Sequence, residues 1–135
     1  MKKVISIALV VIMTFVCSMA AFADAGLMAN DSAKRSSTLS ISGSTATCTS
    51  EYSNSNGNIT KVEITQSLEK QGFLWMWDTV GEELKKTSSN SYVVFNNKVN
   101  DLDSGKYRVK TVFYVTYSSG SPEEITLYSD TKTVS

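Results

Sequence analysis

One stretch, Leu102–Tyr117 (LDSGKYRVKTVFYVTY), constrains the fold of this 135-residue chain more than any other. It opens on a turn signal, Asp103-Ser104-Gly105, and then alternates without a break. Tyr107, Val109, Thr111, Phe113, Val115 and Tyr117 fall on one face, and Lys106, Arg108, Lys110, Val112, Tyr114 and Thr116 on the other. Period two with one mostly apolar side predicts a long strand that buries one face.

The rest of the chain supplies shorter segments of the same kind. Leu39 and Ile41 alternate with serines, and Gly43-Ser44 turns that first strand into a second, Thr45–Tyr52. Ser53–Asn58 is a turn cluster whose Asn56-Gly57 is a strong hairpin signal. Lys61–Lys70 alternates again, Gln71-Gly72 breaks it, and Phe73–Val80 reads as a fourth strand that is apolar on both faces. Gly81–Ser91 is a polar loop, Tyr92–Val99 a fifth strand, and Ser118–Pro122 a hairpin loop before a seventh strand at Glu124–Ser129. These segments predict an all-β chain, a seven-stranded sandwich, with a small β-barrel as the alternative. Tyr107, directly after the turn and two residues before Val109, resembles the tyrosine corner on strand F of an immunoglobulin-type sandwich. Cys48 then lies on the B-type strand, and Val109 stands where that fold carries its second cysteine. The core is expected to hold by packing, with no disulfide.

The N-terminus sets the expected compartment. Met1-Lys2-Lys3 is basic, Val4–Ala20 is almost wholly apolar, and Ala21-Phe22-Ala23 is a small-x-small cleavage site. That order reads as a secretory signal peptide over residues 1–23, with an uncleaved anchor as the alternative. Residues 24–37 read as a flexible leader and 38–135 as the sandwich. Losing Lys2 and Lys3 takes the thirteen basic residues to eleven against thirteen acidic, a net charge of minus two. The balance argues against nucleic acid or an anionic membrane as partner, since both favour a basic excess. No membrane span is expected after cleavage. Cys17 leaves with the signal, so Cys48 has no internal partner; a buried thiol is expected, with a Cys48-linked dimer as the sharper alternative to a monomer.

Several chemistries are disfavoured. The chain contains no histidine, which removes the commonest general base and zinc ligand. Cys48 has no base to activate it, and neither a phosphate loop nor a nucleotide fingerprint occurs. The pairs Glu82-Glu83 and Glu123-Glu124 point apart on extended backbone, which does not make an acid–base couple. Asp101-x-Asp103-Ser104-Gly105 lacks the later glutamate of a calcium loop and reads as a turn. No catalytic, metal or cofactor residue is assigned.

Aromatics are the functional lead. On a strand, Phe73, Trp75 and Trp77 would share one face, and Tyr114 and Tyr128 on neighbouring strands would extend it into a partner surface. The competing expectation is a tryptophan filling the sandwich centre.

The run of VEITQSLEKQ, a Trp-containing hairpin, NSYVVF, SGKYRVKTVFYVTY and TLYSDT is similar to a family of small secreted proteins of Gram-positive bacteria. The resemblance covers most of Ser37–Val134 and implies a secreted immunoglobulin-like β-sandwich. It brings no activity, cofactor or site residue with it. The expectation is a secreted, non-enzymatic interaction protein that binds an extracellular protein or cell-wall glycan. The alternative is a toxin or bacteriocin-like protein acting on cell envelopes.

Overall fold

The computed structural model describes residues 33–135. The expected signal peptide, its cleavage site and most of the expected leader lie outside the described residues. Among the described residues eight strands are formed: β1 (Ala33–Ser42), β2 (Thr45–Asn54), β3 (Ile59–Gln71), β4 (Trp77–Ser88), β5 (Tyr92–Val99), β6 (Gly105–Tyr117), β7 (Glu123–Tyr128) and β8 (Lys132–Val134). They make two antiparallel sheets, β1-β2-β5 and β4-β3-β6-β7, with β8 also paired to β6. The sheets do not close on each other, so the architecture is a sandwich and the barrel alternative is set aside.

Strand β6 is the centre of the larger sheet, and its predicted faces are the observed ones. Tyr107, Val109, Thr111, Phe113 and Val115 are all buried. The Tyr107 hydroxyl donates to the Asp103 carbonyl at 2.6 Å, which ties the incoming turn to the strand. Cys48 is buried as a free thiol beside Leu39, Ala46 and Val109. Burial pushes its pKa up to about 11. A thiol held neutral inside a core is a small hydrophobe rather than a nucleophile.

The core has two apolar clusters, one around Leu68, Tyr107 and Val109, the other around Tyr52, Ile64 and Phe113. Polar side chains lie between them. Thr111 Oγ1 is 2.8 Å from the hydroxyls of both Ser37 and Ser50. Gln66 Nε2 donates to Ser50 Oγ at 2.7 Å, and Asn97 Nδ2 donates to Gln66 Oε1 at 2.7 Å. The chain of bonds joins β1, β2, β3, β5 and β6, so both sheets share it. Buried polar groups that are mutually satisfied avoid a penalty of roughly 1–3 kcal/mol each, and they fix how the sheets face each other.

Four boundaries differ from the sequence expectation. First, β1 starts at Ala33, so the expected leader does not reach Ser37. Arg35 holds this segment: it pairs with Glu123 on β7, and its guanidinium lies 5.6 Å from the Tyr52 ring centroid. Second, the Asn56-Gly57 turn makes no hairpin, because β2 and β3 lie in different sheets. Third, Gly81–Ser88, expected as a loop, belongs to β4, with a bulge opposite Gln66–Leu68. Fourth, the seventh strand forms over Glu123–Tyr128 and an unexpected eighth follows it. Ser129 bonds Val109 through its backbone N–H at 2.9 Å and its hydroxyl at 2.8 Å, and the chain resumes on β6 as β8.

Candidate functional site

The Phe73–Val80 segment is not one strand. Gln71 pairs with Trp77, so residues 72–76 form a five-residue hairpin tip. The Gly72 N–H donates to the Met76 carbonyl at 2.7 Å, and the Met76 N–H reaches the Phe73 carbonyl at 3.3 Å. Phe73–Trp75 forms a single 3-10 turn in which Leu74 and Trp75 both have φ 57°. Two successive non-glycine residues in the left-handed region carry steric strain of roughly 1–2 kcal/mol each. The strain is not relieved by burial: Phe73 is 86%, Leu74 65%, Trp75 77% and Met76 63% exposed.

The turn reverses the chain and separates the expected aromatic stripe into two groups. Phe73 and Trp75 stay at the tip. Trp77 is set back on the outer face of the larger sheet, where it meets Arg108 and Tyr128. The Arg108 guanidinium carbon is 4.2 Å from the Trp77 ring centroid and 4.0 Å from that of Tyr128. Arg108 Nε donates to Glu69 Oε2 at 2.7 Å. Register explains the meeting: Glu69 lies directly across from Arg108, while Trp77 and Tyr128 flank it from β4 and β7. A planar cation between two rings, with its edge on a carboxylate, satisfies stacking and hydrogen bonding together.

Tyr114 belongs to neither group. It is six residues beyond Arg108 on β6, about 20 Å along a strand, and Lys61 Nζ lies 5.9 Å from its ring. The outer face therefore does not carry one continuous aromatic surface. Nor does a tryptophan fill the sandwich centre. The largest fully buried side chains are Tyr52, Tyr107 and Phe113, and Tyr52 and Phe113 pack as a tilted pair with centroids 6.1 Å apart. Arg108 is the site residue the sequence reading left unpaired. Its signal was an arginine at an outward position of a central strand, with Glu69 on β3, Tyr128 on β7 and Trp77 one strand further out on β4.

Beside the tip is an open recess of about 520 Å³, lined by Gln71, Gly72, Phe73, Leu74, Trp75 and Lys106. A second cavity, of about 640 Å³, is bordered by Leu39, Ile41, Leu102 and Val134. A narrower cleft of about 250 Å³ lies over Cys48, Gln66 and Asn97. Among the described residues no group of three or more Cys, Asp or Glu is placed to hold a metal ion. Among the same residues no helix is long and apolar enough to cross a membrane.

No family model and no curated protein sequence matches the chain. Among solved structures, OgpA from Akkermansia muciniphila is similar to it at 11% identity with a TM-score of 0.40, over 75% of this chain and 29% of that one. The chain thus spans less than a third of that protein's length, and a likeness this distant transfers no site.

Proposed function

We propose that this chain is an exported, non-enzymatic binding module whose contact site is the 72–76 tip. The strand order β1-β2-β5 against β4-β3-β6-β7, with the Tyr107–Asp103 bond at the start of β6, supports an immunoglobulin-type sandwich as the scaffold. The observation that carries the reading is the tip itself. Four consecutive large apolar side chains project from a hairpin whose backbone is strained, and strain held at an exposed position is a mark of function. A non-functional turn would be polar or carry glycine where φ is positive.

The binding reading is tested with purified protein and envelope fractions. A Phe73→Ser/Trp75→Ser variant should lose retention on the fractions at an unchanged melting temperature. Equal retention of wild type and variant would move the site elsewhere. The second reading, a toxin acting on envelopes, draws on the same tip. It requires growth inhibition by wild type that the variant lacks.

A further inference from the structure

We infer that the tip is a phospholipid-contact element: Phe73, Leu74, Trp75 and Met76 enter the interfacial zone of a bilayer, and Lys106 meets a headgroup phosphate. The inference rests on the tip being the contact site and names what it contacts.

Three observations select a bilayer. The first is side-chain chemistry. Among these four side chains only the Trp75 indole N–H can donate a strong hydrogen bond. A glycan or polar protein surface needs converging polar groups to fix its orientation. An aromatic with an apolar body and one donor suits the headgroup boundary.

The second is area. Two aromatics bury roughly 150–250 Å² each. With only Leu74 and Met76 beside them, the tip falls short of the about 800 Å² per partner of a stable protein interface. Interfacial membrane binding scales with apolar area and needs no matching shape.

The third is charge. Lys106 is exposed and borders the same recess as Phe73, Leu74 and Trp75. It takes no part in the ion pairs found among the described residues, Arg35–Glu123 and Arg108–Glu69. Lys70, also at the base of the hairpin, directs its ammonium to the Tyr107 ring, 5.7 Å from the centroid, and lies across the β3–β4 register from Asp78. An apolar tip with a free cation at its base repeats the order of acyl boundary and phosphate layer in a bilayer. The chain as a whole has no basic excess, so apolar insertion carries the contact and Lys106 adjusts its strength.

The test uses the full chain with Trp77→Phe, which leaves Trp75 as the sole tryptophan of the original two. Vesicles are phosphatidylcholine alone or mixed with phosphatidylglycerol, with bromine-labelled acyl chains as quenchers. Trp75 emission is expected to be quenched by the lipid and protected from aqueous iodide. Adding Phe73→Ser and Leu74→Ser should return Trp75 to iodide. Lys106→Gln should weaken tip engagement with the mixed vesicles about fivefold; no change there would overturn the headgroup assignment. Trp75 staying open to iodide on vesicle-bound protein would overturn the lipid inference, whatever else holds the chain to the vesicle. In that case, tip-dependent retention on delipidated envelope fractions would leave the binding reading standing, and its absence would remove both.

Discussion

One eight-residue run, Phe73–Val80, supplies both the tip and the Trp77 of the Arg108 clasp (Arg108 with Trp77, Tyr128 and Glu69), yet its aromatics have opposite fates. Phe73 and Trp75 project into solvent, while Trp77, two residues on, lies against Arg108 opposite Tyr128. Hydrophobicity does not distinguish them, because tryptophan occurs in both groups. The presence of a partner does. Trp77 lies on the edge strand of a sheet in which β6, two strands in, supplies a cation and β7 a second ring. Trp75 lies on a turn whose backbone carries it beyond the sheet. Exposed aromatic surface is thus informative only where the fold offers it nothing to pack on, and residues 72–76 are such a place.

The comparison can be broken by mutation, starting with the clasp. Arg108→Ala removes the cation from between two rings and leaves Glu69, largely buried, without its partner. We expect a loss of about 2–3 kcal/mol in urea unfolding. Arg108→Lys should recover little of it, since a lysine cannot stack between two rings and meet a carboxylate along one edge. Trp77→Ala should lose about 1–2 kcal/mol, because Tyr128 and Glu69 still hold the guanidinium. Equal stability of wild type and either alanine variant would mean that the clasp is an incidental contact.

The tip should respond in the opposite sense. Leu74→Gly relieves a left-handed backbone at some entropic cost in the unfolded chain. A net gain of about 0.5–1 kcal/mol is expected in the same measurement, and a loss would place Leu74 in the packing of the fold. Trp75→Ser should change stability by less than about 0.5 kcal/mol, as for other unpartnered surface positions. A larger loss would show that Trp75 stabilises the molecule and is not reserved for a partner.

What could be read from the sequence divides along similar lines. The faces of β6, the burial of Cys48 and the Tyr107 bond to upstream backbone were legible, because each follows from alternation or from a turn immediately before a strand. The tip was misread as strand because nothing in the letters Phe-Leu-Trp-Met announces positive φ. Gly72 was the one available signal, and it marked the break without its geometry. The polar layer was hidden for a different reason. Ser37, Ser50, Gln66, Asn97 and Thr111 are ordinary strand residues one at a time, and only the pairing of two sheets makes them a network. The start of β1 was missed because Arg35 reads as surface until Glu123, 88 positions later, comes to meet it.

The two tryptophans differ in freedom: Trp75 is free in the isolated protein while Trp77 is held, and that difference is open to measurement. It is tested most directly by iodide quenching of two single-tryptophan variants, Trp77→Phe reporting on Trp75 and Trp75→Phe on Trp77. Trp75 should quench nearly as freely as a tryptophan in the unfolded chain, and Trp77 several-fold less. Equal quenching of the two, or a Trp75 shielded in dilute monomer, would contradict the account.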